Sequence, residues 1–360
     1  MTSRLRVSRL ALSHFRSHRG TDLRFEGGPV AIHGPNGAGK TNLLEALSLL
    51  SPGRGLRGAP SEDLARAPER IGWKLTAEIE APDGPHLVVS RSEGAGRLVE
   101  IDGKPAPQTA LSRIARLLWL TPAMDRLWME GAAERRRFLD RIALSLFPDH
   151  AEAALAYDRA LRERNRLLRD GGGDPSWYAA LEAAMAEHGA RLHAGRSAAL
   201  ARLAAAPPSD FPRATLTLEA EGPRDRDGLA AALREGRARD LSAGRSLFGP
   251  HRDDLAALYA EKAMPARSCS TGEQKALLIS LILANAHAVA ADFGAPPILL
   301  LDEVAAHLDG SRRAALYAAL TALGGQSFLT GTGPDLFETL AAESLALHDH
   351  GGISRAAPSG

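Results

Sequence analysis

Gly34-Pro35-Asn36-Gly37-Ala38-Gly39-Lys40-Thr41 decides the fold. The octapeptide is a complete G-x-x-x-x-G-K-[ST] loop, flanked as the motif requires by an apolar strand, Val30-Ala31-Ile32, and an apolar helix, Leu43 to Leu50. Glycines let successive backbone N–H groups close around phosphate oxygens. Lys40 neutralises the β- and γ-oxygens, and Thr41 offers a hydroxyl to Mg²⁺. The helix start, with Asn42 next in line, adds positive potential. An ATP site running from Gly34 to Asn42 is the expectation.

Ile298-Leu299-Leu300-Leu301 reads as a buried strand, and it ends in Asp302-Glu303. Such a strand delivers carboxylates to the C-terminal edge of a sheet, beside a phosphate loop. Asp302 is expected to hold Mg²⁺ together with Thr41, and Glu303 to orient and deprotonate the attacking water. With Lys40 these two form the expected catalytic group, and the adjacent acids argue for hydrolysis over binding alone. Ser270-Thr271-Gly272-Glu273-Gln274 precedes an apolar helix, Ala276 to Ala286, and by itself reads as a capping box.

At 360 residues and 44% hydrophobic, the chain has room for an α/β domain with a smaller lobe. Lys plus Arg (44) nearly balances Asp plus Glu (43), so any nucleic-acid surface must come from local patches. The single cysteine, Cys269, excludes an internal disulfide, and no Cys/His pair has zinc spacing, which points to a reducing cytoplasm. No run approaches the roughly 18 apolar residues of a membrane span, so no membrane is expected. Short apolar strands and Gly/Pro turns fill the first part of the chain, and helical spacing dominates the middle. Gly171-Gly172-Gly173-Asp174-Pro175 divides that middle into an antiparallel helix pair. The expected organisation is an ATPase lobe over 1–118, a helical lobe and arm over 119–242, and the rest of the ATPase over 243–360.

Together these motifs resemble the ABC-type ATPases. Ser270 to Gln274 stands where that superfamily carries its signature, and Ala306-His307-Leu308-Asp309 resembles its D-loop. Leu12-Ser13-His14-Phe15-Arg16 resembles the N-F-R segment of SMC-type members, with His14 in place of Asn. Lys40 and Asp302 stand about 260 residues apart, which indicates a truncated arm in place of a long coiled coil. Glu134-Arg135-Arg136-Arg137-Phe138-Leu139-Asp140, Gly249-Pro250-His251-Arg252-Asp253-Asp254 and Gly53-Arg54-Gly55-Leu56-Arg57 resemble elements of the RecF family of DNA-repair ATPases.

That resemblance implies an α/β, ABC-type P-loop head, a mixed sheet with flanking helices, interrupted by a mostly helical lobe with a short antiparallel arm. It implies ATP and Mg²⁺, a nucleotide contact from Arg16, and contacts from Ser270, Gly272 and Asp309 across an ATP-bound homodimer. It implies a weak DNA-stimulated ATPase acting on duplex or gapped DNA, in recombinational gap repair, with RecO and RecR as partners in RecA loading and a role in the SOS response. Arg54, Arg57, Arg135, Arg136 and Arg137 are the expected grips on DNA phosphates. Thr330-Gly331-Thr332 replaces the switch histidine of transporters, which makes a hydroxyl the expected γ-phosphate sensor. An ABC-transporter subunit and a scaffold that barely hydrolyses ATP are the competing readings. The long insertion and the missing histidine count against the transporter.

Overall fold

The computed structural model describes residues 4–67, 69–92, 94, 96–171, 174–350 and 354–358. The chain separates into two compact units, one of 1–125, 207–211 and 278–360, the other of 126–206 and 212–277.

The first unit begins with β1 (Arg6–Phe15), β2 (His18–Arg24), β3 (Pro29–His33) and α1 (Lys40–Ser48). It continues with β4 (Trp73–Ala81), β5 (Gly84–Ser92), β6 (Leu98–Ile101), β7 (Lys104–Ala106), α2 (Leu111–Ile114) and β8 (Leu117–Leu120). The second unit holds α3 (Ala132–Leu146), α4 (His150–Asp170), α5 (Pro175–Ala204), β9 (Ala214–Glu219), α6 (Arg226–Glu235), α7 (Arg237–Ala243), β10 (Asp254–Tyr259) and β11 (Met264–Pro265). Helix α8 (Thr271–Phe293) starts in the second unit and ends in the first. The first unit closes with β12 (Ile298–Leu301), α9 (Gly310–Leu323), β13 (Ser327–Gly331), β14 (Glu343–Asp349) and β15 (Ser354–Pro358).

Two sheets build the first unit. One is antiparallel, ordered β2-β1-β4-β5-β6-β7, and the other is ordered β15-β14-β3-β13-β12-β8. In the second, all neighbours pair in parallel except β15, which runs antiparallel to β14. Every residue of the inner strand Ile298–Leu301 is apolar and buried, and so is every residue of the edge strand Leu117–Leu120, as strands covered on both faces require. Strand β4 instead alternates, with Trp73, Leu75, Ala77, Ile79 and Ala81 buried, because one face only meets the core. Leu43, Leu44 and Leu47 of α1 are fully buried in that core, each contributing about 1.5–3 kcal/mol. The sheets are also stitched by one side chain. Gln326 accepts from Val7 N (2.8 Å) and donates to Val7 O (3.0 Å).

In the second unit, α4 ends at Gly171 in the left-handed conformation (φ 65°) and α5 starts at Asp174, whose side chain accepts from Ser176 N. The expected helix pair is therefore present; Gly172 and Gly173 lie outside the described residues. Arg164 of α4 is fully buried and donates to Asp240 (2.6 Å), Glu182 (3.0 Å) and the Ser246 hydroxyl (2.7 Å). Arg237 makes a second, two-toothed contact with Glu182. The expected boundary at 242 falls inside this unit, because β9 and β10 pair in a small sheet ordered β11-β10-β9.

One helix departs from the expectation that no run reaches membrane length. By length and composition α8 is apolar enough to span, with a mean hydropathy of 1.7 over its most apolar window. Within the fold 61% of that window is buried, and Gln274, Lys275 and Asn285 of the same helix are buried too. This is the pattern of a core helix.

The second unit carries an acid-sensitive histidine. The Tyr157 hydroxyl donates to His251 Nδ1 (2.8 Å), and His251 Nε2 donates to Ser246 O (3.1 Å). Burial pushes the His251 imidazole down to about 4, so between the unfolded value near 6.5 and pH 4 the unfolded chain takes a proton that the native ring refuses. Stability present above pH 6.5 is thus lost on acidification, by up to about 1.4 kcal/mol per pH unit. His193, also lowered to about 4, acts in the same direction, whereas Asp253, which burial raises to about 6, opposes both. Denaturant midpoints at pH 7 and pH 5 should converge in His251→Gln relative to the parent. An unchanged gap would exclude His251 as a source.

Candidate nucleotide site

Strand order places the chemistry. Because β13 lies between β3 and β12, the phosphate loop, Thr330 and Asp302-Glu303 leave the sheet side by side at its C-terminal edge. Gly34 has φ 148°, and a Cβ there would lie 2.1 Å from Leu347 O. Gly39, with φ 95°, opens α1, and a Cβ there would meet Ser354 Oγ at 2.1 Å. Helix α1 has neither a side-chain cap nor an acid in its first turn, which leaves its leading amides for an anion.

Lys40 is 5% exposed and donates to Gly34 O (2.7 Å) and Pro35 O (3.1 Å). Burial lowers its pKa, and the nearby Glu303 and Asp302 carboxylates counteract that. Asp302 Oδ1 accepts from Thr41 Oγ1 (3.1 Å) and from Thr330 Oγ1 (2.8 Å). Burial raises the Asp302 pKa, while these two hydroxyls pull it back. Glu303 N donates to Thr330 Oγ1 (2.8 Å), and Glu303 sits at φ 53°, a left-handed backbone that non-glycine residues rarely adopt. Thr330, expected as a γ-phosphate sensor, therefore holds the Asp302 carboxylate and the Glu303 backbone, and Thr332 is exposed. Among the described residues no cluster of His, Cys, Asp or Glu forms a closed metal cage. The hydroxyl–carboxylate pair Thr41/Asp302 fits Mg²⁺, an ion that takes few protein oxygens and completes its shell with phosphate and water.

Arg16 (φ 50°) makes a two-toothed pair with Glu45, 2.8 Å at both contacts, and donates to Asp63 O (2.8 Å). Arg57 joins the same carboxylate (3.1 Å) and Asn42 Oδ1 (2.8 Å), and Asn42 Nδ2 donates to Ser17 Oγ (2.6 Å). Glu45 is fully buried on the phosphate-loop helix. Sequence reading missed this neighbour of the phosphate loop. Its one signal was a lone acid among Leu43, Leu44, Ala46 and Leu47.

Ser270 forms the capping box: its N and Oγ donate to Glu273 Oε2 (2.8 Å each), and Glu273 N returns a bond of 3.4 Å to Ser270 Oγ. Lys262 and Ser270 hold the Glu273 carboxyl down at about 2. Ser270 and Gly272 are exposed, and Asp309, also exposed, caps α9 by accepting from Arg312 N (2.9 Å).

The arginines expected on DNA divide. Arg54 is exposed. Arg137 is exposed and pairs with Glu134. Arg135 pairs with Asp254 through two 2.7 Å contacts, and Arg136 donates to Asp253 O (2.6 Å). These two fasten α3 to the start of β10, so an open phosphate grip is not what their geometry offers. Arg196 completes the joint, binding both Asp140 oxygens (2.8 and 2.9 Å), Asp253 (2.8 Å) and Pro250 O (2.8 Å). Burial raises the Asp140 pKa, but His150 and Arg196 outweigh it and hold the group at about 2.

Residues 6–348 match the RecF/RecN/SMC N-terminal domain family. The chain is 45% identical over 374 residues to the DNA replication and repair protein RecF of Mesorhizobium japonicum, an alignment covering 98% of each. This chain belongs to the RecF family. The RecF of Rhizobium etli is 47% identical, covering 95% of this chain and 96% of that one. A solved structure of the recombination mediator protein RecF with ATP, in the RecFOR pathway, superposes with a TM-score of 0.86 at 24% identity, covering 98% of each chain. An SMC head bound to the C-terminal winged-helix domain of ScpA gives a TM-score of 0.55 at 16% identity, over 98% and 97% of the two chains. The RecF fold here is thus the ABC-type head that the motifs implied.

Proposed function

We propose that this RecF-family chain is an ATP-hydrolysing, DNA-binding protein of replication and repair. The chain of hydrogen bonds Thr41–Asp302–Thr330–Glu303 at the mouth of the phosphate loop supports the reading, because it sets a hydroxyl–carboxylate pair suited to Mg²⁺ next to a second carboxyl residue suited to act as general base. The amides from Gly34 to Asn42 and Lys40 bind the phosphates. Thr41 and Asp302 hold Mg²⁺, which neutralises charge developing on the phosphate oxygens. Glu303 orients the attacking water and takes its proton.

Each copy supplies a cradle and borrows Ser270 and Gly272, with Asp309 at the seam, from a second copy, so ATP drives a two-fold dimer. Arg54, Arg57 and Arg137 contact duplex phosphates near a gap, while Arg135 and Arg136 act by holding α3 in place. Release follows hydrolysis, and RecO and RecR are the partners in RecA loading, in the cytoplasm. ATPase rates with and without duplex DNA test this: stimulation supports a clamp, indifference a transporter subunit, and near-absence a scaffold. Ser270→Arg should bind ATP like the parent yet stay monomeric by light scattering with ATP. A variant that dimerises normally would remove the shared site.

A further inference from the structure

We propose that the open face of the small sheet in the second unit is a docking groove for an extended segment of a partner protein, one with apolar side chains and a lysine or arginine at one end. Thr215, Thr217 and Glu219 of β9 alternate onto this face, in register with Leu258, Ala256 and Asp254 of β10. Trp128–Glu130 and Pro265–Arg267 contribute the walls of a cavity of about 630 Å³. That volume is within the range of ligand sites, and a floor six residues long, roughly 20 Å, suits an extended chain. Leu218 packs inward while Thr215, Thr217 and Glu219 are exposed, so this is the uncovered side of the sheet.

Two observations describe the occupant. Trp128 is 4% exposed, and its Nε1–H is buried with no hydrogen-bond partner among the described residues. Such a donor is costly to leave unanswered, and a turn of the indole in the groove wall would bring it to the backbone carbonyl of an extended segment. The two ends of the groove also differ in charge. At one end three carboxylates, Asp254, Glu219 and Glu130, surround the single Arg135 guanidinium of the lining, which Asp254 holds in two contacts while Glu219 acts on it through space; Glu130 makes an exposed 3.7 Å contact to Arg126. Leu258 (37% exposed), Pro265 and Ala266 line the other end, with Met264 (36% exposed) beside them and Arg267 at the rim. A basic residue at the first end and apolar ones along the rest complement this surface. The groove uses no residue of the nucleotide site, so it stands independently of the ATP reading.

Fluorescence anisotropy with labelled decapeptides of alternating valine and serine tests it, the peptides carrying two lysines at either terminus, two glutamates, or no charge. The better lysine peptide should bind at least about ten-fold tighter than its glutamate counterpart. Thr217→Arg, at an exposed position in mid-floor, should weaken that binding at least about ten-fold, and Trp128→Phe should weaken all peptides. Glu219→Lys should invert the charge preference. Equal binding of every peptide, no binding, or an indifferent Thr217→Arg would overturn the proposal. So would sedimentation showing that the parent self-associates and Thr217→Arg does not, since the face would then be a contact between copies.

Discussion

Glu303→Gln is expected to lower ATP turnover about 10²- to 10⁴-fold while ATP affinity stays close to the parent's. The amide keeps the size of the acid, and the Thr330 bond that fixes position 303 comes from its backbone, so the frame survives. What is lost is the carboxylate proposed to take the water's proton. With hydrolysis slowed and binding intact, the ATP-bound dimer should accumulate in light scattering. Comparable loss of affinity and turnover would instead mean that Glu303 shapes the site, and the assignment of the general base would be wrong.

Arg164→Met is expected to cost about 3–5 kcal/mol, the range for removing one partner of a buried ion pair. Arg164 is wholly buried and Glu182 and Asp240 are 4% exposed, so the variant leaves two carboxylates in a dry interior with Arg237 as the remaining partner of Glu182. Equilibrium urea unfolding measures the loss. Replacing Glu182 by Gln and Asp240 by Asn in the same chain should restore much of it, since neutral side chains of that shape need no counter-charge. If Arg164→Met unfolds at the parent's midpoint, the network is solvated and does not hold α4, α5 and α7 together.

Local signals were the legible ones. The strand–loop–helix around Lys40, the acids ending Ile298–Leu301, the box between Ser270 and Glu273, and the turn at Gly171 each depend on neighbours within a few residues. The missing parts depend on distance. Glu45 receives Arg16 from 29 positions upstream and Arg57 from 12 downstream, and no periodicity announces such a meeting. Arg135 to Arg137 display charge but not partners: Asp254 lies 119 positions from Arg135, which is why the run read as a DNA grip. The pairing that carries the second unit past 242 is equally distant, since β10 pairs with β9 across the intervening α6 and α7.

The phosphate loop follows an early strand, yet its walls come late. Strand β3 pairs with β13 and β14, Gly34 lies against Leu347 O, and Gly39 lies against Ser354. Ser17 and His18 can touch the loop at once, but during synthesis it waits some three hundred residues for its remaining walls. A nascent chain halted in its helical arm would carry every atom of the cradle and still fail to grip a triphosphate.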